Sequence, residues 1–120
     1  MVEVLEEFPE HVAAFRATGR VTGKDYDEVI NPVVANIYRK NEKISFLYLI
    51  DTPLTNFSMG AWLKDAVLGF VYFTEWKRIA IVSDNCGAKR FTNFFGHFVP
   101  GKYRGYILND YDEAKIWVRK

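Results

Sequence analysis

A chain of 120 residues makes one domain, long enough to bury roughly two-thirds of its unfolded surface without disulfides or metals. Its formal net charge of +1, with Lys and Arg spread throughout, argues against the broad positive field that nucleic-acid binders use to neutralise phosphates. A composition 49% hydrophobic and 17% aromatic excludes a disordered chain, and the single cysteine, Cys86, excludes an internal disulfide framework and points to a reducing compartment.

The first residues, MVEVLEEFPEH, lack the basic start and apolar centre of a signal peptide. No run approaches the roughly 20 apolar residues of a membrane span, so a cytoplasmic protein is expected. Val2 to Glu7 reads as a short charged edge strand, Phe8 to His11 as a turn, and Val12 to Arg20 as the antiparallel return. Thr22 and Asp25 form a capping-box pattern that opens a helix. Its stripe of Tyr26, Val29, Ile30, Val33, Val34, Ile37 and Tyr38 keeps the helical period for three turns, with a bend expected at Pro32. Asn41-Glu42-Lys43 closes it.

Ile44 to Ile50 is apolar on both sides, as a central parallel strand should be. Asp51 to Thr55 forms the loop leaving its carboxyl end. Next comes the stretch around which the chain is organised, Asn56 to Trp76, a helix with Asn56 or Ser58 as cap. Trp62, Ala66, Gly69, Phe70 and Phe73 make a full apolar stripe. Met59, Leu63, Val67 and Val71 extend it sideways, with Lys64, Asp65 and Tyr72 as polar relief. An ordinary covering helix needs one stripe; the surplus calls for a second partner. Ile79 to Ser83 repeats the strand pattern and ends in Asp84. Cys86 to Val99 gives a short helix with Phe91, Phe94, Phe95 and Phe98 on one stripe, stopped by Pro100-Gly101. Tyr103 to Leu108 is the last strand. Asn109-Asp110 with Glu113 caps a terminal helix that faces Ala114, Trp117 and Val118 inward. The order is ββαβαβαβα: an α/β fold with a mixed, mostly parallel sheet covered by helices.

No residue set announces a reaction, and none has metal-ligand spacing: His11 lies in a turn and His97 within the phenylalanine stripe. Asp51 and Asp84 share the carboxyl rim of the parallel strands, where open sheets place ligands, and are the candidates for a small catalytic or cation site; capping is the commoner use of such acids. Cys86 has no partner histidine or second cysteine. The expected character is non-enzymatic, without cofactor or metal. If four or five of the large side chains on the two aromatic helices were exposed, a partner covering them would gain about 8–10 kcal/mol gross before association costs. Phe57, Met59, Trp62, Leu63, Phe70 and Phe73, with Phe94 and Phe98 opposite, are the candidate lining for an apolar small molecule or lipid. Lys89, Arg90, Phe91 and Phe95, with Lys102 and Arg104 beyond them, have the composition of an interfacial membrane contact.

The string Phe15 to Thr22 running into Asp25-Tyr26, the Asn31-Pro32 break, Phe57 to Asp65 and Trp76 to Asp84 together resemble the SpoIIAA-like branch of the STAS superfamily, whose founding members are bacterial anti-sigma-factor antagonists. The resemblance covers nearly the whole chain and implies the fold above. Founding members are phosphorylated on a serine in an Asp-Ser-Ser/Thr-Gly string; here Ser58 and Gly60 match and the acid does not, which leaves Ser58 as the regulatory candidate. The branch is also similar in topology to CRAL-TRIO lipid-transfer domains. The expected function is therefore a carrier or sensor of an apolar molecule or lipid, peripheral at a membrane surface. The alternative is a regulatory interaction module in which the same face meets a protein partner or a second copy.

Overall fold

The computed structural model describes residues 1–72, 74–84 and 102–120. At its centre is β3 (Ile44–Asp51), buried from Ile44 through Tyr48 on both faces. A strand so apolar must be paired on both edges and covered on both sides. Its companions are β1 (Val2–Val4), β2 (Val12–Thr18), β4 (Trp76–Ser83) and β5 (Lys102–Tyr106), in the order β1-β2-β3-β4-β5. β1 is antiparallel to β2 and every other neighbouring pair is parallel, so both the N-terminal hairpin and the mostly parallel sheet form as expected.

Side-chain alternation along the strands divides the core in two. Ala13, Phe15 and Ala17 of β2, Phe46, Tyr48 and Ile50 of β3, and Ile79 of β4 face α1 (Gly23–Asp25), a π turn (Tyr26–Ile30), α2 (Asn31–Asn41) and α3 (Met59–Val71). The Phe46 ring lies 5.5 Å from Phe15, 5.7 Å from Tyr48 and 5.8 Å from Trp76, the tilted and edge-on spacings that aromatic quadrupoles favour. Val12, Ala14, Leu47, Ala80, Val82 and Tyr106 line the opposite face under α4 (Tyr111–Arg119), through Ala114 and Val118. Polar ties fasten α4 to the N-terminal turn. His11 Nε2 donates to the Arg119 carbonyl at 2.9 Å, and the Tyr111 hydroxyl donates to Glu7 at 2.9 Å.

Among the described residues, one buried side-chain atom on this second face has no partner. Ser45 is 1% exposed, and its hydroxyl oxygen makes no hydrogen bond. Desolvating a hydroxyl without pairing it costs free energy that a methyl group would not. Ser45→Ala is expected to stabilise the fold by about 1 kcal/mol, seen in thermal unfolding as a rise in Tm of a few degrees.

Pro32 acts differently from the bend expected of it. It has no N–H for the Glu28 carbonyl, and its ring would crowd that oxygen in an α turn. The preceding turn widens instead: Asn31 N–H reaches back five residues to Tyr26, and Pro32 falls in the first turn of a fresh α segment. Upstream, Thr22 N–H donates to Asp25 Oδ2 at 2.9 Å, the acidic half of the expected capping box. α2 stops at Glu42, which adopts a left-handed conformation with φ 64° that its Cβ disfavours. Glu42→Gly is expected to gain about 0.5–1 kcal/mol, measured as a higher urea midpoint with an unchanged slope.

Several boundaries differ from expectation: β1 stops at Val4 and β2 at Thr18, short of the expected Glu7 and Arg20. Trp76 starts β4 instead of ending the preceding helix, because its indole is drawn into the aromatic core. Asp110 makes no side-chain cap; Leu108–Asp110 forms a 3-10 turn whose Leu108 N–H is capped by Asp84 at 3.1 Å. Strand β5 ends at Tyr106 to make room for that turn. The helix expected from Cys86 to Val99 lies outside the described residues.

Candidate functional site

α3 begins where Ser58 Oγ accepts from Ala61 N–H at 3.0 Å, an N-cap that satisfies one of the helix's free donors. The regulatory candidate is thus half-buried and engaged in capping. Just before it, Val21 N–H donates to Asn56 O and Ser58 N–H donates to Val21 O, so the segments leading into α1 and α3 are stitched together by backbone. Gly23 sits at that crossing. A Cβ there would meet the Gly60 carbonyl oxygen at 3.3 Å, tighter than side chains normally pack. At the far end, Trp76 Nε1 donates to the Gly69 carbonyl at 3.3 Å and meets one of the unpaired carbonyls of the last turn.

Between these ends the helix is turned the opposite way from the one its apolar count suggests. Ala61 and Leu68 are buried, and Lys64, Asp65 and Tyr72 are half-buried beside them. Met59, Leu63, Phe70, Val71, Val67 and Trp62 stand outward, with exposures of 85%, 65%, 81%, 63%, 50% and 44%. The expected stripe of Trp62, Ala66, Gly69 and Phe70 is therefore not the one that packs on the sheet, and Asp65 and Tyr72 are not surface relief. Three sets of contacts account for the rotation. The close backbone crossing at Gly23 and Gly60 needs a small residue, Ala61, on the inner side. Asp65 also has a buried donor to reach, and Tyr72 packs its ring against Tyr38 at 5.3 Å and Trp76 at 5.9 Å.

That donor is Tyr26 in the π turn, a side chain with no exposure at all. Its hydroxyl donates to Asp65 Oδ1 at 3.0 Å and, with its proton so committed, accepts from the Tyr48 hydroxyl at 3.2 Å. A relay of two phenols and a carboxylate lies between α3 and the sheet. Burial pushes the Asp65 carboxyl above the usual carboxylate range, and the Tyr26 hydrogen bond partly opposes that rise. Burial, reinforced by the Asp65 charge, pushes both tyrosines well above an ordinary phenol, so they stay neutral donors. Tyr103 of β5, half-buried, is raised by the same two causes. This layer was missed in the sequence. The available signal was Asp65, beside Lys64, interrupting a largely apolar helix while two strand and helix core positions carried phenols.

The other candidates are placed as follows. Phe57 is a core residue, 6.2 Å from Tyr48 and 5.2 Å from Trp62, whose outer edge it supports. Phe73, Phe94 and Phe98 of the ligand lining lie outside the described residues, as do Lys89, Arg90, Phe91 and Phe95 of the membrane contact, and Cys86 and His97. Lys102 and Arg104 are exposed on β5, with the Arg104 guanidinium 5.6 Å from the Tyr106 ring. Asp51 and Asp84 do share one rim, in an open depression of about 290 Å³ lined also by Ile50, Thr52, Pro53 and Leu108. Each is engaged by the fold: Arg16 donates to Asp51 at 2.6 Å, and Asp84 holds Leu108 N–H. Among the described residues no group of three or more His, Cys, Asp or Glu could hold a metal ion, and no helix is long and apolar enough to cross a membrane.

No curated protein matches the sequence. Among solved structures, an uncharacterized protein of the DUF3478 family with a SpoIIAA-like fold, from Shewanella loihica PV-4, superposes with a TM-score of 0.73 at 23% identity, covering 98% of this chain and 93% of its own. Likeness at that identity speaks for the fold. The sequence model of the SpoIIAA-like family matches residues 12–119, from the first residue of β2 to the last of α4. With the strand order, the Ser58-capped helix after the central strand and that match all in agreement, the chain belongs to the SpoIIAA-like family.

Proposed function

We propose that this domain is a non-catalytic carrier or sensor of an apolar small molecule or lipid, and that it meets a membrane surface through the outer face of α3. The observation that supports this is the inverted helix: its largest apolar side chains point to solvent and its carboxylate points inward. Of the outward side chains only Trp62 carries a polar atom. Protein interfaces usually pair a hydrogen bond with every 100–200 Å² of contact, which this face cannot supply. A lipid surface asks for apolar area alone and takes Trp and Phe well at its boundary.

The test is flotation with neutral phosphatidylcholine vesicles at low and high salt, alongside native mass spectrometry of the purified protein and its organic extract. Binding that survives salt, or an apolar mass lost on denaturation and recovered in the extract, supports the reading. A clean mass with no flotation sinks it. If that clean mass is a dimer that grows with concentration, the face belongs to an interaction module.

A further inference from the structure

Among the described residues, α3 is held to the body by few apolar contacts of its own. Ala61 and Leu68 are its buried side chains, while the middle of its inner face is occupied by the Asp65 carboxylate against Tyr26, with Tyr48 behind. Helices are ordinarily fixed by an apolar stripe, whose hold does not change with pH. Here a titratable group stands in the centre of the seam. We propose that Asp65 is the latch of α3: protonated, it rests in the seam against Tyr26 and holds the helix down; ionised, it favours release of the helix into water.

The direction follows from proton linkage. Burial favours the uncharged carboxyl in the docked helix, whereas a released helix returns Asp65 to an ordinary carboxylate environment near ~3.9. Docking therefore binds a proton and release gives it back, so raising the pH promotes release. The release constant rises by up to about tenfold per pH unit between the ordinary value and the higher docked one, and is flat outside that window. Among the described residues, the charged and titratable groups around Asp65 are Asp25 of α1, Tyr26 and Asp27 of the π turn, Tyr48 of β3, Tyr103 of β5 and Lys64 of its own helix. The three phenols stay neutral across this range because each is raised. Lys64 is paired with Asp27 at 3.0 Å on the rim.

Once released, a helix of 13 residues is too short to persist in water, so it frays and its amides exchange. This makes the latch measurable without a membrane. The consequence for docking rests on the function proposed above; the latch does not. Hydrogen–deuterium exchange of the α3 amides, corrected for intrinsic rates, is followed from pH 4 to 8 in the wild-type chain and in Asp65→Asn, which keeps the acceptor for Tyr26 and cannot titrate. Expected is a loss of α3 protection with rising pH in the wild type, none in the variant, and no change in β3 of either. Asp25 and Asp27 remain in both proteins, so the difference between them belongs to Asp65. If Asp65→Asn fails to fold, Tyr26→Phe serves: without its hydrogen bond the protection loss must extend to higher pH. Parallel profiles in the wild type and the variant overturn the latch. Vesicle flotation over the same pH range separates the two readings. Flotation accompanied by parallel exchange profiles in the wild type and Asp65→Asn overturns the latch and leaves docking standing. Opening without any flotation keeps the latch and removes docking.

Discussion

Replacing Tyr26 with phenylalanine is expected to cost the fold about 1.5–3 kcal/mol at neutral pH, more than loss of an ordinary hydrogen bond, because the group left behind is a half-buried carboxylate without its donor. The substitution removes one oxygen and disturbs no packing volume. It strips Asp65 of its donor and takes from the Tyr48 hydroxyl its acceptor. The cost should depend on pH. A carboxyl whose folded value lies above its unfolded one contributes stability that is present below the unfolded value and lost as pH rises through the folded one. The Tyr26 bond opposes the rise, so Tyr26→Phe moves the folded value higher still and widens the window of loss. In acid, where Asp65 is neutral in both proteins, the difference shrinks to about 1 kcal/mol, that of a neutral pair. Urea unfolding at pH 4 and pH 7.5 reads this directly. A cost that is the same at both values would mean that Asp65 does not titrate in the folded state. Adding Asp65→Asn completes a double-mutant cycle, in which the two changes should be strongly non-additive.

Phe70→Glu should do the reverse, sparing the fold and removing the function. Phe70 is 81% exposed, so its replacement should shift stability by no more than about 0.5 kcal/mol. If α3 docks by its outer face, burying this ring is worth about 2 kcal/mol, and its loss should weaken vesicle binding by about 30-fold. A carboxylate at the lipid boundary can only add to that. Vesicle titration with unchanged thermal unfolding is the expected pair of results. Unchanged vesicle affinity would take Phe70 out of the contact. The inward neighbour makes the contrast: Leu68→Ala, two positions away, should cost about 2–4 kcal/mol of stability through its cavity.

The frame of the fold was legible because strands declare themselves by composition. Ile44 to Ile50 is apolar at every position but Ser45, and no other element tolerates that run between a helix stop and an Asp-Thr-Pro loop. The capping box of Thr22 and Asp25 was also legible, and for α3 the sequence offered Asn56 or Ser58, of which Ser58 is the cap. The rotation of α3 was not legible. Hydrophobic periodicity locates a face by counting apolar residues, and here two faces qualified. Which one turned inward was decided by the crossing of Gly60 with the backbone of Gly23 and by the Tyr26 phenol, more than 35 residues from Asp65, and both of these partners lie outside the helix's own sequence. The two acids at the carboxyl rim were placed correctly for position. Their use was set by Arg16 and the Leu108 amide, partners distant in sequence.

The π turn carries a consequence for how this sequence can change. A five-residue reach holds one residue more than an α turn, so the helix that follows is offset in phase from the segment before it. Tyr26 belongs to the first phase and answers to Asp65; Val34 and Ile37 belong to the second and answer to the sheet. Substitutions that repack α2 against β2 and β3 can therefore accumulate without turning Tyr26 away from α3, and the acidity beneath α3 can be retuned without repacking the sheet. Pro32, by keeping that turn open, separates two requirements that a continuous helix would have bound together.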